Sequence, residues 1–142
     1  MANVFDTAQY ILSKTGGIST WKLQKLVYYS QAWHSVWSDQ SLFDSRIEAW
    51  ANGPVCPALY EQHKGRFTID NVALGNVDSL TADEKESIDV VVNYYGKYNG
   101  QQLSDMTHSE SPWQKARDGL SPNERGNEEI TLESMVEYYT SL

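Results

Sequence analysis

Ser19-Thr20-Trp21-Lys22-Leu23-Gln24-Lys25-Leu26-Val27-Tyr28-Tyr29-Ser30-Gln31-Ala32-Trp33-His34-Ser35-Val36-Trp37-Ser38 is the stretch whose reading decides the fold. Plotted at roughly 100° per residue, it places Gln24, Gln31, Ser35 and Ser38 on one narrow polar strip. Most of the remaining circumference is apolar or aromatic, from Trp21 and Leu23 through Leu26, Val27 and Ala32 to Trp33, Val36 and Trp37. A helix apolar over most of its surface must pack on several neighbours. Residues 20–38 are therefore expected to form the buried central helix of a mainly α domain with five to seven helices.

Upstream, Asn3 can cap a helix over 4–14 whose apolar positions Val4, Phe5, Ala8, Ile11 and Leu12 keep helical spacing, with Gly16-Gly17 as its stop. Downstream the helical period is lost. Ile47, Ala49 and Ala51 alternate with Glu48, Trp50 and Asn52, a strand signal ending at an Asn52-Gly53 turn. A minor two-stranded β element, from residues near 47–51 and 129–131, is expected. Pro57 suits the first position of a short helix anchored by Leu59 and Tyr60 and ending at Lys64-Gly65, and 66–79 reads as loop with a short extended piece at 67–69. Thr81-Ala82-Asp83-Glu84 is a capping box opening a helix over 82–98, which Gly100 should end. A helical turn is expected at 102–106. Ser111-Pro112-Trp113-Gln114 reads as a second capping box, and Ile130-Thr131 leads into a last amphipathic helix with Leu132, Met135, Val136 and Tyr139.

The length of 142 residues fits one domain over 1–142. Net charge is −8, from 19 acidic against 11 basic residues, which disfavours a phosphate backbone as partner and suits a basic protein partner. Cys56 is the lone cysteine, so no internal disulfide can form. The N-terminal residues do not read as a signal peptide and no apolar run is long enough to span a membrane, so a cytoplasmic protein is expected, with neither membrane nor nucleic acid as partner. Five Trp and nine Tyr against three Phe supply large apolar bodies with polar tips, which serve cores with wet edges and binding surfaces alike.

The residues that could carry chemistry are few. Cys56 with one of His34, His63 or His108 would be the elements of a cysteine hydrolase, but no cation stands near Cys56 in sequence to lower its pKa. No close His or Cys spacing points to a metal, and no phosphate-binding glycine motif occurs. The expectation is no enzyme, no metal and no cofactor. Lys22, Lys25 and Tyr29 lie on one side of the central helix, with Tyr28 three residues after Lys25. They can form a basic and aromatic edge that grips a partner, or they can snorkel over apolar surface with only their tips in water.

Three stretches in order go beyond composition. Lys22 to His34, with Leu23, Gln24, Leu26 and Trp33, resembles the signature helix of the SocA-like antitoxin (Panacea) family, which includes phage-associated GepA-type proteins. Ile47-Glu48-Ala49-Trp50-Ala51-Asn52-Gly53-Pro54-Val55 with Leu59-Tyr60 resembles that family's central block. Leu103 and Thr107-His108 with Pro112-Trp113 and Ala116-Arg117 resemble a third. The resemblance implies a helical domain that neutralises a protein toxin, commonly the product of an adjacent gene, by binding it. Regulation of a host protein by a phage or mobile-element product is the other reading. Lys22, Lys25, Tyr28, Tyr29, Trp50, Gly53 and Pro54 are the expected contact region, and Tyr29→Ala or Lys25→Glu should weaken binding while the domain stays folded. Thr107, His108, Pro112, Trp113 and Tyr60 are expected to be scaffold or contact.

Overall fold

A computed structural model describes residues 2–142. Helix α1 (Val4–Thr15) starts at a reciprocal cap in which Asn3 and Asp6 each accept the other's backbone N–H at 2.9 Å. Strand β1 (Ile18–Ser19) follows, and the Ser19 hydroxyl then caps α2 (Thr20–Ser38) by accepting from Lys22 N. As expected, α2 is the central helix: it packs against α1 and, beyond the β elements, against α4 (Ala82–Tyr95), α5 (Gly100–His108) and α7 (Leu132–Thr140).

Its polar strip, however, does not face water. Gln24, Gln31 and Ser35 are all buried. The Gln31 amide takes the backbone N–H of Leu42 at 2.7 Å and donates to the Phe43 carbonyl at 2.8 Å, standing in for a strand where the chain is irregular. Gln24 does the same for both backbone groups of Cys56. Side-chain amides carry both an N–H donor group and a carbonyl acceptor, so they can complete irregular backbone that must be buried. The helix instead exposes two tryptophans, Trp21 at 42% and Trp37 at 48%.

Strand β2 (Ile47–Trp50) pairs antiparallel with β3 (Gly53–Val55) on one edge and with β5 (Glu129–Ile130) on the other. The expected pairing of 47–51 with 129–131 is present, with a third strand added. The hairpin turn is Ala51-Asn52 rather than Asn52-Gly53, because Trp50 pairs with Gly53. Gly53 adopts a φ of +118°, a conformation open to glycine and costly for other residues. A second small sheet joins β1 to β4 (Thr68–Ile69), through Ile18 opposite Ile69.

Helix α3 (Pro57–His63) has Pro57 at its start, as read. Helix α4 begins at the Thr81–Glu84 capping box but ends at Tyr95, short of residue 98. Gly100 does not terminate it. Gly100 opens α5, under an Asn99–Gln102 capping box, and a Cβ there would stand 3.0 Å from Trp21 Cβ and 3.2 Å from Lys22 N. The close approach of α5 to the start of α2 is what requires glycine. Helix α6 (Ser111–Ala116) includes Ser111 within it and so lacks the expected Ser111 cap; Gln114 Nε2 donates to the His108 carbonyl. No helix among the described residues is long and apolar enough to cross a membrane.

Candidate functional site

The three stretches singled out in the sequence meet at the β2–β3 hairpin. From α2, Gln24 holds Cys56 at the hairpin's exit. From α5, the Ser104 hydroxyl donates to the Asn52 carbonyl in the turn. From α6, Trp113 Nε1 donates to the Trp50 carbonyl at 2.8 Å, and Arg117, just past the end of α6, donates to the Ala49 carbonyl at 3.0 Å. Arg117 also reaches the carbonyls of Ser121 and Glu124, binding the loop ahead of β5 to the same hairpin. Thr107 and His108 brace this assembly: Thr107 Oγ1 donates to the Ser104 carbonyl, and the His108 ring stacks on Trp113 at 4.1 Å. Pro112 and Trp113 are buried. Hydrogen bonds to backbone carbonyls from three directions make the hairpin a fixed platform.

The expected basic and aromatic edge is not formed. Tyr28 and Tyr29 are core residues, as are Leu23 and Leu26. Tyr29 stacks on Tyr95 at 3.9 Å, and its hydroxyl donates to Glu110 Oε1 at 2.8 Å; Tyr139 donates to the same oxygen at 2.7 Å. Tyr28 and Tyr139 share a hydroxyl contact of 3.0 Å. Desolvation raises Glu110 above the ordinary carboxylate range, with the two tyrosine hydroxyls pulling the other way. Lys22 donates from Nζ to the Gly96 carbonyl at 2.6 Å, closing the C-terminus of α4, where a cation suits the helix dipole. Gly53 and Pro54 are buried within the hairpin. A two-dimensional wheel cannot show that α5, α7 and the hairpin cover these positions from opposite sides.

Lys25 is the exception among the four. It is only 2% exposed, and burial alone lowers its pKa to about 7. No hydrogen bond or ion pair to Nζ is formed among the described residues. Its stem passes directly over the hairpin: a Cβ on Gly53 would lie 2.5 Å from Lys25 Cε. Lys25 lines a cleft of about 390 Å³ between the start of α2, the hairpin, α3 and the loop before β4. Trp21, Trp50, Tyr60 and Phe67 supply its aromatic surface, with Trp50 and Tyr60 packed edge to face at 5.0 Å. His63, Lys64 and Arg66 add further nitrogen, and no residue lining the cleft is acidic.

Of the expected contact residues, the structure thus brings Lys25 and Trp50 to this cleft and places Lys22, Tyr28, Tyr29, Gly53 and Pro54 elsewhere or beneath it. Tyr60, read as part of a motif, joins them. Trp21 and Phe67 were missed as contact residues. Phe67, 92% exposed, is delivered by the β1–β4 pairing, where Thr20 N donates to the Phe67 carbonyl. The extended piece read at 67–69 is present as β4, but a two-residue strand carries no local signal of its pairing with residues 18–19, which is what brings Phe67 to the cleft.

An apolar groove of about 450 Å³ lies at the far end of α2, lined by Trp33, Trp37, Tyr94, Met106 and Leu142 among others. Trp33 is held there by stacking on Trp37 and by donating to the Tyr95 hydroxyl at 3.0 Å. Cys56 is buried and its backbone is engaged by Gln24; desolvation pushes the thiol up, away from the thiolate a nucleophile needs. Among the described residues, no group of three or more His, Cys, Asp or Glu is placed to hold a metal ion.

Neither a curated protein nor a solved structure matches the chain. A family model does match, that of the antitoxin SocA-like, Panacea domain, over residues 23–114. That span runs from Leu23 in α2 through the hairpin to Gln114 in α6, and it takes in most of the cleft, leaving out Trp21 at the start of α2, strand β1 and the Arg117 clasp. The chain therefore belongs to the antitoxin SocA-like, Panacea domain family.

Proposed function

We propose that this protein is an antitoxin-like binding protein that neutralises a cognate protein toxin by direct contact, in the cytoplasm and without catalysis, metal or cofactor. The observation that carries the reading is the braced hairpin with its open aromatic cleft, built largely by the stretch that matches the antitoxin family. Protein recognition relies on rigid aromatic anchors, and Trp21, Trp50, Tyr60 and Phe67 stand together on fixed backbone. The acidic chain as a whole, at −8, is poorly suited to nucleic acid.

The test is co-expression with the product of the neighbouring gene. If this reading holds, the neighbour is toxic alone, harmless with this protein, and co-purifies with it. Trp50→Ala and Phe67→Ala then restore toxicity while thermal unfolding stays cooperative. Capture of a host protein with no toxic neighbour would replace the toxin with a host factor as partner. Loss of function on Cys56→Ser, with binding and stability intact, would return the hydrolase reading.

A further inference from the structure

A lysine with no partner, at the base of a cleft that carries no carboxylate, is an unusual thing for a chain with 19 acidic residues to keep. Burial strips the ammonium of water, and a buried charge is tolerated when it is paired. The pair is not supplied from within. The carboxylates that neighbour the cleft residues Trp50 and Tyr60 in sequence are otherwise engaged: Glu48 bonds Arg46 and the Trp50 indole, and Glu61 pairs with Lys64. The cleft volume of about 390 Å³ is in the range that encloses small side-chain-sized groups.

We infer that the cleft is a receptor for an acidic side chain, Asp or Glu, carried on an extended segment of the protein partner, with its carboxylate seated on Lys25 and its flanking residues lying against Trp21, Trp50, Tyr60 and Phe67. The proposal rests on the reading that the protein binds another protein, and it names what part of that partner is recognised. An internal acidic residue fits better than a chain terminus. Terminal carboxylates are usually gathered by free backbone N–H groups, and here Cys56 N is taken by Gln24 and Thr20 N by the Phe67 carbonyl. Only side-chain cations remain, and the aromatic rim gives a continuing chain a surface on both sides of the charge. The titratable groups that face Lys25 are His63 from α3 and His108 from α5, both held below the ordinary imidazole range chiefly by burial and in part by Lys25 itself. Both are neutral at pH 7, so the lysine is the anion's one deep counter-charge, with Lys64 and Arg66 at the rim.

The experiment is an NMR titration of the full chain, with three short peptides as probes, the first two blocked at both ends, and no toxin present. One contains a single Glu, the second has Gln in its place, and the third is the Gln peptide with a free C-terminal carboxylate. The Trp21 and Trp50 indole signals and the Lys25 Cε signal are followed. The Glu peptide is expected to shift all three, to bind at least about tenfold more tightly than the Gln peptide, and to raise the pH at which Lys25 titrates by about a unit or more. Lys25→Met, which keeps the stem and the packing, should abolish the difference between Glu and Gln peptides. Trp50→Ala should weaken both peptides alike.

Equal binding of Glu and Gln peptides, shifts outside the cleft, or no shift at millimolar peptide overturns the proposal. Tighter binding of the free-terminus peptide than of the Glu peptide overturns the choice of an internal acidic residue. The two readings fail separately. If Lys25→Met neutralises a demonstrated toxin as well as the natural chain, the carboxylate site is wrong and the antitoxin function stands. If the Glu peptide binds as expected but no toxin is found, the reverse holds.

Discussion

Two neighbouring turns of α2 bury polar side chains in opposite ways. Around Tyr28 and Tyr29, every tyrosine hydroxyl has a partner: Tyr29 and Tyr139 share Glu110, Tyr28 meets Tyr139, and aromatic rings pack the space between, while the adjacent Ser30 hydroxyl is buried with no partner among the described residues. One turn earlier, Lys25 is buried too, at the floor of the cleft, with nothing bonded to its amine among the described residues. A satisfied buried network rigidifies a core. An unsatisfied buried charge lowers stability and marks the place where a ligand could recover the loss. The comparison separates residues that hold the molecule together from a residue that lines an open cleft and, on the proposal made above, waits for a partner from outside.

The largest effect expected from breaking this comparison is on the tyrosine side. Tyr29→Ala removes a fully buried ring stacked on Tyr95 and leaves Glu110 with one donor, and should destabilise the protein by about 3–5 kcal/mol in urea unfolding. This corrects the expectation that the variant would stay folded and lose only binding. A variant of near-natural stability would mean that the ring is not packed as described.

On the lysine side the sign reverses. The folded-state pKa of about 7 lies below the ordinary 10.5, so the folded protein gives up a proton that the unfolded chain keeps between those values. Stability contributed by the neutral amine is therefore present at high pH and lost as pH falls toward 7. Lys25→Met should stabilise the protein by about 2–4 kcal/mol at pH 7 and below, with the gain shrinking as pH rises toward 10. Denaturation of both proteins across that range is the check, and a destabilised variant would show that the amine has a partner in solution.

Gly53→Ala comes next, at about 1–3 kcal/mol of destabilisation, because it combines a positive φ with a clash against Lys25 Cε. It should also weaken partner binding by displacing the lysine, which Lys64→Ala, at an exposed rim position, should do far less.

The smallest effect sharpens the comparison. Glu110→Gln keeps an acceptor for both tyrosines and should change stability at neutral pH by less than about 1 kcal/mol. Because the Glu110 carboxyl titrates above its ordinary 4.5 in the folded state, the natural protein holds that proton longer than its unfolded chain does. Its stability should therefore fall, relative to the Gln variant, as pH rises through the range just above 4.5. Parallel curves for the two proteins would place Glu110 in water.

Most helices were legible because their signals are local. Asn3 with Asp6 and Thr81 with Glu84 announce helix starts within four residues, and the apolar arc of α2 announces a central helix without reference to anything else. Gly100 misled because a glycine serves equally as a helix stop and as a point of close approach, and only the position of Trp21 against it decides between them. The cleft was half legible. Lys25 and Trp50 lie within recognisable stretches, but their neighbours Trp21 and Phe67 meet only through a two-residue pairing across the gap between 18 and 69. The strip of Gln24 and Gln31 was legible as polar but not as buried, because amide side chains look alike in sequence whether they bond water or irregular backbone.

The clasp made by Arg117, with the pairing of Ile47 and Ile130 beside it, has a consequence for the timing of synthesis. A chain emerging from the ribosome makes α2 and the hairpin early, yet the hairpin's outer edge has no strand to pair with until residue 130 has appeared. Contacts so distant in sequence form late, since the intervening loop must close first. A nascent chain therefore carries an open sheet edge beside the cleft until residue 130 has been translated, and the proposed binding surface is fully braced only after that point. For a protein whose proposed work is to restrain another, the delay between the start of synthesis and the first working molecule is set by the fold itself.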